Sequence, residues 1–315
     1  MNEFELINRY FNWPLSNPSI ELGVGDDAAL FEIDANCQLV TSTDTLLEGV
    51  HFFKDALPGD IAYKSLAVNL SDIAAMGAKA KCFTLSLTLP KLDKTWLQEF
   101  SESLKEASEF FKVSLIGGDT TKGPLNITIT IMGVVKKSKA IKRSSAKNGD
   151  DIYVSGNLGD AALCLKKMNE GIKPNSSELN KLNQPAPRVK LGPSLINIAS
   201  SCIDVSDGLE QDLTHILRAS KVGAIIDSQN LPLSDSVQDY LKTSQDLDLP
   251  LCGGDDYELL FTAPKKHRLT IEKIAKKTKT ATSIIGVITK NTSLKVIDQK
   301  GKSILFNPKG FDHFA

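Results

Sequence analysis

Aspartate recurs at the ends of apolar runs, beside glycine or small hydroxyl residues: Asp27 in "GVGDDAALF", Asp44 in "STDT", Asp119 in "GGDTT", and Asp204 with Asp207 in "DVSDG". Asp72 stands in "NLSDIAAMGA", a stretch of helical character. Any one of these has an alternative use as a helix cap or turn residue. Together they are placed as carboxylates at the rims of sheets, where several strand ends can converge on one cleft. Two like charges about 4 Å apart repel by roughly 1 kcal/mol in water and about 4 kcal/mol at an effective dielectric of about 20, so a converged set needs cations. Oxygen ligands of this hardness select magnesium or a similar divalent ion. Magnesium so held keeps part of its shell for water and phosphate oxygens, which points to a nucleoside triphosphate as the remaining ligand. Arg143, in "AIKRSSAKNGD", is the candidate for a direct cationic contact to that triphosphate, against the alternative of a solvated linker arginine.

Simpler phosphate motifs fail. "GVGDDA" fits the loose dinucleotide fingerprint, but "AALFEI" after it reads as strand rather than helix, and Asp26 and Asp27 would repel a pyrophosphate. "GKS" at Gly301 lacks the first glycine of a P-loop, since Val296 occupies its place. "DVSDGLEQDL" has no glycine at the sixth position of an EF-hand loop.

The chain that carries these residues has 315 of them, 41% hydrophobic and 24% charged, which suits a soluble protein of two domains. A net charge of −1 argues against general attraction to nucleic acid or anionic membrane. Five scattered cysteines without CxxC spacing indicate neither a disulfide framework nor a zinc site. The N-terminus has no signal-like apolar run, and no stretch reaches the roughly 18 apolar residues of a membrane span, so a cytoplasmic location is expected.

The elements that must position the aspartates follow from periodicity. Phe4, Ile7 and Phe11 fall on one helical face and predict a short opening helix that leads into the glycine turn. "ALFEI", "QLVTST", "KCFTLSLTLP", "VSLIGGDTT" and "NITITIMGVV" predict strands, with Phe83, Leu85, Leu87 and Leu89, and Ile127, Ile129 and Ile131, on a buried face. "GDIAYKSLAVNLSDIAAMGA" and "KTWLQEFSESLKEASEFF" predict helices, the second with Trp96, Phe100, Leu104 and Phe111 on one stripe. The first domain, residues 1–138, is thus mixed α/β. A polar, basic connection, 139–150, leads to a second α/β domain over 151–315 that begins at "DIYVSG". Within it, "KMNEGIKPNSSELNK" reads either as a mobile loop or as inert surface.

With "STDTLLEGVHF", "AVNLSDIAAMGA", "LIGGDTTKGP", "LCGGDDYELLF" and "GFDHF" added in order to "GVGDDAALF" and "DVSDGL", almost the whole chain resembles the thiamine-monophosphate kinases. These belong to a superfamily with aminoimidazole ribonucleotide synthetase and selenophosphate synthetase. The resemblance implies an α/β (α+β) two-domain fold of the aminoimidazole ribonucleotide synthetase type, its N-terminal mixed sheet pairing across a homodimer and its C-terminal domain an α/β sandwich. It implies ATP-dependent phosphorylation of thiamine monophosphate to thiamine diphosphate, with several magnesium ions. By motif position, Asp27, Ser42, Thr43, Asp44, Asp72, Asp119, Asp204 and Asp207 are similar to the family's magnesium ligands. Gly118, Asp119, Arg143 and Ser206 would face the nucleotide, and His51, Asp255 and Phe311 the substrate. Two of these depart from the family pattern: Asp255 stands for a glutamate and Phe311 for a tryptophan, which shortens one acid by a methylene and removes an indole donor.

The acceptor would be a phosphate oxygen, already largely dianionic near neutral pH because its second pKa is about 6, so no protein base is expected. The alternatives are a related ATP-dependent synthetase that activates a substrate oxygen, a silent nucleotide-binding protein, and a phosphatase using the same aspartates.

Overall fold

Asn2 opens the first helix with a reciprocal cap: its Oδ1 accepts the Glu5 N–H at 2.9 Å, and the Glu5 carboxylate accepts the Asn2 N–H at 3.1 Å. In the computed structural model, which describes residues 2–15 and 17–304, this helix is α1 (Glu3–Tyr10). It buries Leu6 and Tyr10, four residues apart, and leaves Phe4 exposed. Of two apolar stripes competing in "EFELINRYF", the one through Leu6 and Tyr10 packs, while Phe11 is buried just beyond the last turn.

The chain forms two compact units, the first from residues up to 73 with 78–138, the second from 74–77 with residues 139 onward. In the first, β1 (Ile20–Leu22) pairs antiparallel with β2 (Leu30–Phe31), and the glycine turn with Asp26 and Asp27 lies between them. Strand, not helix, therefore follows the turn, as the rejection of a dinucleotide fold requires. Then come β3 (Cys37–Leu47), α2 (Pro58–Ala75), β4 (Lys79–Leu89), α3 (Lys94–Phe111), β5 (Ser114–Lys122) and β6 (Asn126–Lys136). The sheet order is β3-β6-β4-β5; β6 is antiparallel to both neighbours and β4 is parallel to β5, so the sheet is mixed.

One face of this sheet is apolar, with Phe83, Leu85, Leu87, Ile127, Ile129 and Ile131 buried as their alternation predicts. The other carries hydroxyls: Thr43 and Thr130 are hydrogen-bonded at 2.9 Å and Thr45 and Thr128 at 2.8 Å. Helix α3 is capped by Asp93, whose carboxylate accepts the N–H groups of Thr95 and Trp96. It packs through Leu97, Phe100, Leu104 and Ala107, whereas Trp96 and Phe111 are only half-buried at its margins.

The second unit begins with a 3-10 turn at Arg143–Ser145 and continues as β7 (Asp151–Ser155), α4 (Asp160–Asn169), α5 (Ser176–Asn183), α6 (Leu191–Ser194), β8 (Ser201–Asp204), α7 (Leu209–Ser220) and β9 (Gly223–Asp227). Then follow α8 (Asp235–Ser244), α9 (Asp248–Cys252), β10 (Leu259–Ala263), α10 (Arg268–Thr278), β11 (Thr282–Thr289) and β12 (Leu294–Ile297). Its six-stranded sheet runs β12-β9-β11-β7-β10-β8, with only the β12–β9 pair parallel.

Both faces of that sheet are covered. Ile152, Val154, Ile203 and Leu260 pack with Leu213 and Ile216 of α7; Tyr153, Cys202 and Phe261 pack with Leu191 of α6 and Ile271 of α10. The basic stretch 139–150 contributes Ile141 and Ala146 to these two clusters, which anchors it in the second unit. "KMNEGIKPNSSELNK" is no long loop: it ends α4 and carries most of α5, whose Asn175–Glu178 capping box starts the helix. Cys82, Cys164 and Cys202 are buried, Cys37 and Cys252 are half-buried, and none of the five is in a disulfide. No helix among the described residues is long and apolar enough to cross a membrane.

Candidate active site

The register of β3 with β6 sets Ser42 opposite Ile131 and Asp44 opposite Ile129, which places both on the apolar, helix-covered face. There α2 supplies Asp72 and the fully buried Asn69. The Asn69 side chain accepts the Asp44 N–H at 3.2 Å, and the Ser42 hydroxyl donates to Asp72 Oδ2 at 2.5 Å. The carboxyl groups of Asp44 and Asp72 are themselves hydrogen-bonded. Burial, then the Asp72 charge, then that hydrogen bond push Asp44 up to about 7.

Two carboxyls this close must share a proton or a cation. Among the described residues no three or more His, Cys, Asp or Glu side chains gather into a metal cage of their own. Two carboxylates with a hydroxyl nevertheless suit magnesium, which takes one or two carboxylates and fills its shell with water and phosphate oxygens. Ser42, Asp44 and Asp72 fit that ion by donor chemistry.

Among the described residues, the other first-unit candidates do not join this pair in a cluster of three or more metal-binding side chains. Asp119 is exposed on β5, in register with Ser86. Strands β3 and β5 are opposite edges of the sheet, three steps or roughly 14 Å apart along it. Asp27 is exposed in the β1–β2 turn, where its N–H donates to Asp26 Oδ1 at 2.8 Å. Thr43 is on the hydroxyl face, bonded to Thr130. Gly118 has φ +151°, and a Cβ there would stand 1.8 Å from the Leu85 carbonyl oxygen, so only glycine allows this approach of β5 to β4. His51 accepts the Leu47 N–H on Nδ1 at 3.0 Å, which leaves Nε2 as its protonated nitrogen.

In the second unit β8 ends at the buried Asp204, and "VSDG" turns into α7. The turn is held by a residue outside the sequence-based site set, Asp212. Its Oδ2 accepts the N–H groups of Ser206 at 3.0 Å and Asp207 at 3.1 Å. Burial first, and the Asp207 charge second, push the Asp212 carboxyl up to about 7, while these N–H groups and Arg143 pull it back. The structure thus brings together Arg143, Ser206, Asp207 and Asp212. The signal was present in "DVSDGLEQDL", an acid in the first turn of the helix that follows the loop.

The "GGDDYE" segment returns beside this turn: the Asp255 N–H donates to the Ser206 carbonyl, and the Tyr257 N–H to that of Val205, both at 2.8 Å. Asp255 and Tyr257 adopt positive φ, 68° and 49°. Asp256 accepts the Gly159 N–H at the start of α4 with both oxygens, at 3.1 and 2.9 Å, and burial pushes its carboxyl well above the ordinary range. Glu258 is buried and paired with Arg188, whose Nε donates at 2.5 Å and whose second nitrogen also donates; Ser155 completes the group. Phe311 lies outside the described residues.

Residues 25–135 match the family model of the AIR synthase related protein N-terminal domain, and residues 147–299 that of its C-terminal domain. A thiamine-monophosphate kinase of Buchnera aphidicola (subsp. Schizaphis graminum) is 44% identical over 319 residues, covering 99% of each chain. The chain belongs to the thiamine-monophosphate kinase family. The crystal structure of a thiamine-monophosphate kinase from Stenotrophomonas maltophilia superposes with a TM-score of 0.88 at 40% identity, covering 96% of this chain and 98% of that one. A structure of AaThiL complexed with AMPPCP and TMP superposes with a TM-score of 0.79 at 29% identity, covering 99% and 96%. Membership in the thiamine-monophosphate kinase family therefore extends over both units, and the carboxyl pair of the first and the "VSDG" turn of the second belong to one family architecture.

Proposed function

We propose that this chain transfers the terminal phosphoryl group of ATP to thiamine monophosphate, yielding thiamine diphosphate and ADP, with magnesium. One coincidence carries the reading: full-length kinship with kinases of thiamine monophosphate falls on a chain whose Ser42, Asp44 and Asp72 form a hard-oxygen cluster in need of a cation. A related synthetase is not favoured, because the kinship at 44% identity is with kinases over the whole length.

Magnesium, when bound, supplies charge neutralisation between two anionic reactants and stabilises the transferring group. In this reading Ser42, Asp44 and Asp72 hold one ion, and the family resemblance assigns Asp27, Thr43 and Asp119 in the first unit, and Asp204 and Asp207 in the second, to further ions. The acceptor phosphate is largely dianionic near neutral pH, so the protein needs no general base. Its own residues bind and orient. Arg143, exposed beside the "VSDG" turn, offers a planar fork to phosphate oxygens; Ser206 offers a hydroxyl, and Gly118 an exposed backbone beside Asp119. The family resemblance makes His51 a substrate contact, with Asp255 and Phe311 as further contacts. The same reading makes residues 1–138 the nucleotide and dimerisation domain, 139–150 the connection and 151–315 the domain that adds metal and substrate contacts. It makes the enzyme a homodimer, which rests on family resemblance, in the cytoplasm, which rests on the sequence's lack of a signal-like or membrane-spanning run.

The test is a product assay with magnesium, ATP and thiamine monophosphate, resolved by anion-exchange chromatography. Thiamine diphosphate and ADP should appear in equal amounts; ATP loss without thiamine diphosphate would refute the assignment.

A further inference from the structure

Asp44 lies on a strand and Asp72 on a helix, so no backbone ladder fixes one against the other. Two hydrogen bonds do. The Ser42 hydroxyl donates to Asp72, and the Asp44 N–H donates to Asn69 Oδ1. Ser42 and Asp44 are two positions apart on β3, roughly 7 Å. Asn69 and Asp72 are three apart on α2, roughly 4.5 Å along its axis. Two links between such pairs set both the slide of α2 along β3 and its rotation, where one alone leaves the rotation open.

The links differ in kind. Ser42 and Asp72 are assigned to the ion, so the bond between them competes with ligation. The Asn69 link uses a backbone N–H and a neutral amide, and it needs no rearrangement when a cation binds. Asn69 is fully buried, among Leu66, Leu70 and Ile73 of the same helix. Its Nδ2 donates to the Ser65 carbonyl at 2.9 Å, one turn back, which turns Oδ1 toward the strand. The reversed amide would set donor against the Asp44 N–H and acceptor against the Ser65 carbonyl, so only one orientation satisfies both. An amide in an apolar interior is costly unless it is fully bonded, and the bond it makes outside its own helix is to Asp44.

We propose that Asn69 is a positioning residue for the metal pair: it holds the Asp44 backbone in register with Asp72, so that the two carboxyl groups face one another before an ion arrives. This rests on the magnesium role proposed above for Asp44 and Asp72.

Magnesium alone is the probe, added to the full chain at constant pH without nucleotide, and the readout is the rise in thermal midpoint that binding to the folded state produces. The unaltered protein should show that rise. Asn69→Leu and Asn69→Ser should each need on the order of tenfold more magnesium for the same rise, as the loss of an orienting contact costs a metal site. A serine there still donates to the Ser65 carbonyl but is too short for the Asp44 N–H, so Asn69→Ser decides the matter if the leucine variant does not fold. Ser65→Ala removes another buried bond of the same helix, from Ser65 Oγ to the Ile61 carbonyl at 2.7 Å. It should lower the metal-free midpoint and leave the magnesium requirement unchanged. An unchanged requirement in Asn69→Ser, or an equal increase in Ser65→Ala, would overturn the positioning role and leave the magnesium role of the pair standing. No rise in the unaltered protein would overturn both.

Discussion

The carboxyl group of Asp44, on β3, is hydrogen-bonded to that of Asp72, on α2, and Ser42 donates to the same Asp72 carboxylate. Strand register and helix packing hold these acids together at the cost of mutual repulsion. Burial and the Asp72 charge push the Asp44 carboxyl up from its ordinary 3.8 to about 7 when no cation is bound. The folded state thus keeps a proton that the unfolded chain releases, and stability falls as pH rises from about 4 to about 7. Asp212, also pushed up to about 7, adds a contribution of the same sign. Urea denaturation in chelator should show the midpoint falling across this window. The fall should be smaller in Asp44→Asn, and magnesium should oppose it at the upper end; a fall identical in Asp44→Asn would deny the pair its role.

Asp212 fixes the "VSDG" turn through two backbone N–H groups accepted by one oxygen. Asp212→Ala orphans both, and misplacement of Ser206 and Asp207 should lower turnover on the order of 100-fold. Asp212→Asn keeps an acceptor oxygen and should stay far closer to the unaltered enzyme. Equal loss in both variants, measured by steady-state kinetics, would show that charge rather than positioning matters.

Arg188 neutralises Glu258 inside the second unit. Arg188→Met should destabilise the chain by about 3–5 kcal/mol, because it strands a buried carboxylate. Adding Glu258→Gln should recover part of that loss in a denaturation double-mutant cycle.

At Gly118 a Cβ would overlap the Leu85 carbonyl oxygen at 1.8 Å. Gly118→Ala should cost about 2 kcal/mol or more and should also weaken nucleotide binding, both readable from thermal shifts with and without ATP.

Much of this was legible in the chain because period-two alternation leaves a strong mark. Phe83, Leu85 and Leu87 in β4 and Ile127, Ile129 and Ile131 in β6 are buried as their pattern requires. Helix faces were less legible: α1 offers two apolar stripes, and only tertiary packing chose Leu6 with Tyr10 over Phe4 with Ile7. The meeting of Asp44 with Asp72 depends on register and helix placement across 27 intervening positions, and neither is encoded locally. Asp212 was hidden for the opposite reason, since an acid in a first helical turn ordinarily serves the helix dipole, not the loop before it. The cap that makes α5 a helix, Asn175 with Glu178, was readable within "KPNSSELNK" but outweighed by its polarity.

If Asp44 and Asp72 hold the magnesium on which phosphoryl transfer depends, the magnesium dependence of turnover must change in Asp44→Asn and Asp72→Asn. Each variant should need about tenfold more magnesium for half-maximal thiamine diphosphate formation, roughly 1.4 kcal/mol of lost affinity, and should remain slower at saturation. Turnover at limiting magnesium indistinguishable from the unaltered enzyme in both variants would contradict the account.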